Sequence, residues 1–580
     1  MRLEDYWGVG PKTSELLGEE LGVDAALDAI ESADVKTLVD AGVPRGRAVR
    51  ILRRANGDAG MDLLATGDAR EVYDDLLSLS SEYALTRHAA DRIRVLTPLP
   101  SREARTERLD EVLAARDAWR DLGDDARELV VDAFAAYDDA DGTRLAAVEA
   151  ALALREAGLR GGTFAALDGV DEDALREAAD ALAHLDADGS VRRGADEDLD
   201  RLRDRLADVS DLENSAFDVL ETVRSRGARD LAAFESAFAE YVARETDLTR
   251  GEVEAAAAAD ARDATDFVSA SLRALVDDLE AEVAGREKAV REDLEAAIDA
   301  AREDVETAVD AVGDVAFLLS LGRFAAAHDL TRPTFIEDGL AVESARNLFL
   351  AGEVQPVTYA VGDHGLATAR PAPPPGDRVS VLTGANSGGK TTLLETLSQV
   401  TLLAAMGLPV PAASAAVGEF DAVVFHRRHA SFNAGVLEST LKTVVPPLAR
   451  EGRTLMLVDE FEAITEPGRA ADLLNGLVDL TVERGALGVY VTHLANDLSP
   501  LPETARIDGI FAEGLTQDLE LEVDYQPRFG TVGKSTPEFI VSRLVANARD
   551  RAERQGFEAL AAAVGEEAVQ RTLSDARWES

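Results

Sequence analysis

The 580-residue chain contains no cysteine, which excludes a disulfide framework, thiolate catalysis and a cysteine-based zinc site. No run of residues approaches the roughly 18 consecutive apolar positions that a membrane span needs. The opening MRLEDYWGVG has no charged segment followed by an apolar one, so nothing there marks the chain for secretion, and the expected location is the cytoplasm. Lysine is scarce, with six among 60 basic residues, the remainder being arginine. Proline is missing altogether from the 232 residues between 101 and 332.

Acids outnumber bases 110 to 60, a formal net charge of −50. A carboxylate-dense surface of this kind is the adaptation expected of a protein working in molar internal salt, a halophilic habitat where self-repulsion is screened. The alternative, a chain that repels nucleic acid, carries little weight, because at about 1 M salt the Debye length is only about 3 Å and local patches decide binding. With 46% hydrophobic residues the chain can bury real cores, and its length predicts roughly three to five units rather than one.

Two related stretches stand in the first 57 residues: WGVGPKTSELL (7 to 17) and DAGVPRGRAVRILRR (40 to 54). Each resembles the turn of a helix-hairpin-helix. Gly8 and Gly10, and likewise Gly42 and Gly46, would let the hairpin backbone approach a DNA phosphate at a helix N-terminus, with Lys12 beside the first turn. The second copy carries Arg45, Arg47, Arg50, Arg53 and Arg54 with no acid between them, a basic run that points to sequence-blind contact with DNA rather than a merely solvated face.

The proline-free stretch reads as helix almost throughout. Between 268 and 312, Leu272, Val276, Leu279, Val283, Val290, Leu294, Ile298, Val305, Val309 and Val312 recur at spacings of mostly three, four and seven, the mark of a helix packed along one seam. Such a segment would span on the order of 65 Å. It fits a dimeric coiled coil or one strut of a helical hairpin equally well. DADG (186 to 189) and SRG (225 to 227) are the expected points of reversal.

After PAPPPGDR (371 to 378) strands and helices alternate, the texture of an α/β nucleotide-binding domain. GANSGGKTTL fits G-x-x-x-x-G-K-[ST] between a strand and a helix. Its glycines would present N–H groups to phosphates, Lys390 its ammonium to the β/γ oxygens, and Thr391 its hydroxyl to Mg²⁺. LMLVDE (455 to 460) ends a strand on Asp459, expected in the magnesium shell, and Glu460, expected to orient or deprotonate water. VYVTH (489 to 493) ends on His493, placed for a γ-phosphate sensor.

These residues resemble the MutS family. Its G-P-N-x-G-G-K-[ST] loop is matched by Gly384, Ala385, Asn386, Ser387, Gly388, Gly389, Lys390, Thr391 and Thr392, with Ala385 where proline is usual. Its S-T signature is matched by Ser439 and Thr440, its D-E by Asp459 and Glu460, its T-H by Thr492 and His493, and its closing segment by 525 to 548. Leu437 stands where the signature usually has glycine, and EAITEP (462 to 467) where a glycine-rich segment usually follows the acids. The mismatch-reading members' Phe-x-Glu wedge has no match in place; the strings at Phe238 to Glu240 and Phe511 to Glu513 lie elsewhere.

The resemblance implies a multidomain fold: an all-α helix-hairpin-helix module (1–57), an all-α core with lever and clamp helices (60–340), an ABC-type P-loop α/β ATPase (341–550) and a helical tail (551–580). It implies ATP and magnesium as cofactors, a homodimer in which Ser439 acts in trans, and largely sequence-independent DNA binding without nuclease activity. Three other readings stay open at this point: a junction-specific recombination regulator, a structural clamp with slow hydrolysis, and a ribosome-directed ATPase.

Overall fold

The protein is described by a computed structural model, in which residues 3–186, 188–225, 231–352, 354–365, 371–384, 389–428, 434–460, 467–494, 497–498, 500–515, 521–533, 537–565 and 569 are placed. It is a multidomain chain of helical and α/β parts that packs as two compact units, residues 1–127 with 313–580, and residues 128–312.

The first unit begins with short helices α1 (Pro11–Glu20), α2 (Val23–Glu31), α3 (Val35–Asp40) and α4 (Arg45–Met61). Leu17, Ile30, Leu38, Ile51 and Leu52 are buried together in their core. Toward its end α4 departs from helical geometry at Gly57 (φ −141°), where an added Cβ would lie 2.4 Å from Thr97. Helices α5 (Gly67–Ser81), α6 (Arg87–Arg94) and α7 (Arg102–Asp121) follow, each opened by a threonine or serine cap: Thr66, Thr86 and Ser101 accept from the backbone three residues on. The chain leaves this unit within α8 (Asp124–Asp139).

The second unit is helical: α9 (Arg144–Glu156), α10 (Glu172–His184), α11 (Glu197–Asn214), α12 (Ala216–Ser225), α13 (Leu231–Glu245), α14 (Arg250–Ala255) and α15 (Ala264–Ala300). The apolar seam anticipated from 268 to 312 is one seam on two helices. α15 ends at Ala301 (φ −99°, ψ 15°), and α16 (Arg302–Ala327) continues and re-enters the first unit. No proline or glycine accounts for that break. The seam is covered from within the chain, since α10, α11 and α12 pack on α15, so α15 is a strut and its buried side needs no second copy. Phe234 and Phe238 meet Phe267 edge to face at 6.1 and 5.4 Å. Farther along α15, Val290 packs with Val191 and Leu199, and Arg286 grips Asp196 with two hydrogen bonds of 2.9 and 2.6 Å. Of the two expected reversals, Leu185 and Val191 bridge across the first, whereas 226–230 lie outside the described residues. Phe238 is 1% exposed, so its Phe-x-Glu string belongs to a core.

Strands β1 (Thr334–Ile336), β2 (Leu340–Ala345), β3 (Val357–Val361) and β5 (Ser414–Gly418) form a small sheet in the order β1-β5-β2-β3. The large sheet is β10-β9-β4-β8-β7-β6, from β4 (Val379–Gly384), β6 (Ala422–His426), β7 (Thr454–Asp459), β8 (Leu487–Val491), β9 (Ala505–Leu515) and β10 (Leu521–Arg528). It is parallel except for β10. Buried on both faces, β4, β7 and β8 are nearly continuous apolar runs rather than alternating ones. Helices α17 (Lys390–Ala405), α18 (Ala434–Ala449) and α19 (Pro467–Glu483) connect the strands, with α20 (Pro537–Ala546) and α21 (Arg551–Val564) after them. A buried polar knot ties the sheets together: Tyr359 Oη donates to Ser380 and Asp508 at 2.6 and 2.9 Å, and Arg506 donates to Asp508 at 2.9 Å.

One attachment is not visible in the sequence. Leu64 bridges Val423 in parallel, and Thr66 exchanges hydrogen bonds with both backbone groups of Phe425. The segment before α5 thus adds to the β6 edge of the large sheet and covers an otherwise open strand.

Candidate functional site

The site forms at the C-terminal ends of β4, β7 and β8, where an open parallel sheet places its ligands. At the end of β4, Gly384 has φ 136°, and an added Cβ would lie 2.3 Å from the Ile510 carbonyl oxygen, so no other residue fits there. Gly389 caps α17 in the left-handed conformation (φ 72°), with Tyr525 of β10 so close that a Cβ would meet its ring at 2.6 Å. Ala385, Asn386, Ser387 and Gly388 lie outside the described residues.

Lys390 is buried, and its Nζ donates to the Gly384 carbonyl at 3.0 Å, spanning the loop from end to start. Thr391 Oγ1 donates to Asp459 Oδ2 at 2.5 Å. Asp459 is 2% exposed at the end of β7. A buried carboxylate beside a hydroxyl is a pair of hard oxygen donors, which suits Mg²⁺. Among the described residues no group of three or more His, Cys, Asp or Glu side chains is placed to hold a metal ion. Thr392 follows on α17, half-buried, and its carbonyl accepts from Asn347 and from Thr396.

Glu460 is held at φ 41°, a left-handed conformation uncommon for a non-glycine residue. Its N–H donates to Val491 O at 3.1 Å, which fixes the residue against β8. His493 Nε2 lies 2.8 Å from Oε1, and Arg428 Nη1 donates to Oε2 at 2.5 Å. The His493 hydrogen bond, with the charges of Arg428 and Lys390, holds the carboxyl below its ordinary pKa against the opposing effect of burial. Arg428, two residues beyond His426 in HRRH, is a site neighbour that no sequence motif marks; only its contact with Glu460 in space reveals it.

A cavity of about 480 Å³ opens beside Gly389, Lys390 and Thr391, walled by Leu350, Val357 and Tyr525. Its size and mixed apolar and polar lining suit a nucleotide. Tyr525 falls in the closing segment 525 to 548, and nothing local in the sequence marks it as lining the cavity. The signature residues sit in the second turn of α18: Ser439 exposed, Thr440 buried. Of the pair, Ser439 alone presents a side chain to the surface. The side chain of Leu437 and the segment 461–466 lie outside the described residues.

In the N-terminal helices, Gly8 and Gly42 have positive φ (82° and 90°), Gly10 precedes α1, and Gly46 lies in the first turn of α4. The basic run is partly neutralised. Arg45 pairs with Asp91, Arg53 with Asp74 at 2.6 Å, and Arg54 with Asp62 at 3.6 Å. Lys12, Arg47 and Arg50 remain exposed, although Arg47 also donates to Gly8 O at 3.1 Å.

No protein-family model matches the chain. It is 43% identical over 242 residues to the DNA-binding protein MutS2 of Pyrococcus furiosus, covering 41% of this chain and 41% of that protein. Over 260 residues it is 26% identical to the Endonuclease MutS2 of Clostridium botulinum (43% of this chain, 31% of the relative), and over 124 residues 36% identical to that of Solidesulfovibrio magneticus. The matched stretches span less than half the length of each of these relatives. No described helix is long and apolar enough to cross a membrane. Over these stretches the chain is similar to proteins of the MutS family, and its glycine loop, its acid pair and His493 meet at one sheet end.

Proposed function

We propose that this protein is an ATPase that binds DNA, hydrolysing ATP as a homodimer whose closure holds the duplex largely without regard to sequence. The single observation carrying the enzymatic part is the Thr391–Asp459 and Glu460–His493 pairing at the mouth of one cavity. In this reading the triphosphate lies along the N-terminus of α17 with Lys390 against its β/γ oxygens. Magnesium, held by Thr391 and Asp459, would neutralise charge on the phosphates. Glu460 orients the attacking water and takes its proton, and His493 fixes the carboxylate's aim while lying within reach of the γ-phosphate. The Tyr525 ring on β10 covers the apolar end of the cavity, where an adenine ring would stack.

Ser439, exposed on α18, reaches the nucleotide of a second protomer, so that nucleotide joins the two copies. The DNA part rests on the two glycine turns with exposed Lys12, Arg47 and Arg50, and on the name of the Pyrococcus relative. The helices of the second unit serve as lever and clamp, passing nucleotide-dependent closure to DNA, a two-state element biased by ligand. A closed ring suits high salt, where phosphate contacts weaken steeply. Retention on closed circular DNA with an ATP analogue in molar KCl, and release on linearisation, is the result expected; equal loss from both forms would refute topological closure.

A further inference from the structure

Arg427 and Arg428 are adjacent but do different things. Arg427 is anchored on three sides: its N–H donates to Asp68 at 2.7 Å, one guanidinium nitrogen to Glu71 at 2.9 Å, and the other to Glu395 of the phosphate-loop helix. That fixes the backbone at the root of Arg428. The Arg428 side chain is 53% exposed, whereas the Glu460 side chain it touches is 10% exposed, so the guanidinium reaches the buried carboxylate from the solvent side. Glu460 is itself held from behind by Val491 O and His493.

On the ATPase reading above, on which this inference rests, Glu460 contacts the attacking water and the water contacts the γ-phosphorus. Two such steps place the γ-phosphate within about 6 Å of the Glu460 carboxylate, a distance that rotation about the long arginine side chain covers. The polar groups around that position are Lys390 from α17, His493 after β8, Asp459 from β7, and Arg428 after β6. Lys390 is buried and spans the phosphate loop, whereas Arg428 is mostly solvent-facing and pairs with one carboxylate. A terminal phosphate carries more negative charge than one carboxylate and offers the guanidinium a bidentate partner.

We propose that Arg428 is a catalytic arginine acting in cis: it pairs with Glu460 Oε2, as here, and transfers to the γ-phosphate when ATP binds, freeing that oxygen for water. In the step it serves, the water oxygen bonds to the γ-phosphorus and the bond to the β–γ bridging oxygen breaks. The water proton passes to Glu460 and on to the released phosphate, and ADP leaves with the bridging oxygen. Arg428 stabilises the charge that spreads over the γ oxygens, the role of an arginine finger supplied from the same chain.

The test compares the full-length wild type with Arg428→Ala and Arg428→Lys, each checked for an unchanged circular-dichroism melt. The readouts are steady-state ATPase and the affinities for ADP and for a non-hydrolysable ATP analogue. Arg428→Ala should lower kcat about tenfold or more, leave ADP affinity within about twofold, and shrink the preference for triphosphate over ADP; Arg428→Lys should restore part of both. Unchanged or raised kcat in Arg428→Ala, or equal shifts in ADP and analogue affinity, would overturn the transfer. Absence of ATP hydrolysis by the wild type would instead remove the ATPase reading itself.

Discussion

The Thr391 hydroxyl and the Asp459 carboxylate are 68 residues apart in sequence and 2.5 Å apart in space. One opens the helix after the phosphate loop and the other ends a strand two positions away in the sheet. Their contact, with that of Glu460 and His493, gathers the glycine loop, the acid pair and His493 into a single site.

Replacement of Glu460 by Gln keeps the shape of the side chain and removes its capacity as a base. ATP turnover should fall by about 10²- to 10⁴-fold, while binding of a fluorescent ATP analogue persists. Parallel steady-state and equilibrium titrations check this; loss of both together would assign Glu460 to binding.

Gly389→Ala introduces a Cβ 2.6 Å from the Tyr525 ring at a φ of 72°. Strain of about 1 kcal/mol or more is expected at such a position. The thermal midpoint should drop and nucleotide affinity should fall at least tenfold. Alanine tolerated at full affinity would show that the ring and loop are not as closely apposed as described.

Phe238 is buried against Phe267 in the second unit. Truncation to alanine should destabilise that unit by about 3–5 kcal/mol, measurable by urea unfolding of the full chain. A change below about 1 kcal/mol would mean the aromatic cluster is not its core.

Glu252 closes a capping box with Thr249 and pairs with Arg205 at 2.7 Å. Its carboxyl is pulled down to about 2, chiefly by the Thr249 hydroxyl and then by Arg205. Because the folded value is depressed, the stability it adds is present above the ordinary glutamate range. It is lost as pH falls from about 4.3 through about 2. Glu252→Gln should therefore be less stable than wild type at neutral pH, with the gap closing in that window; at this exposure the gap is no more than about 1 kcal/mol. Melts from pH 7 to 2 read it directly, and a constant gap would contradict the assignment.

Arg50 is exposed, whereas Arg45 and Arg53 are tied to Asp91 and Asp74. Arg50→Ala should weaken binding alike for all duplex sequences and reduce the salt slope by about one. Fluorescence anisotropy at several KCl concentrations measures both, and an unchanged slope would place the phosphate contacts elsewhere.

The local parts of this site were legible in the sequence because their chemistry is written in consecutive residues. The glycines, Lys390 and Thr391 share one loop, and Asp459 and Glu460 follow one apolar strand. The helical seam was legible too, but its covering was not: periodicity reports that Leu272 and Leu279 are buried, not which helix buries them. Arg428, Tyr525 and the addition of Leu64 to the β6 edge depend on pairings across 32 to 359 residues, and spacing within one segment carries no signal of these. The basic run looked uniform for the same reason, since the acids that neutralise Arg45 and Arg53 stand 46 and 21 positions away.

The central claim is that ATP hydrolysis at Glu460 is coupled to DNA. It is tested most directly by the ATPase rate at about 1 M KCl, where surface charge is screened within about 3 Å, with and without linear duplex, mismatched duplex and four-way junction, for wild type and Glu460→Gln. The account predicts stimulation by every DNA alike, abolished by the substitution. A rate that no DNA changes, or that survives loss of the carboxylate, would contradict it.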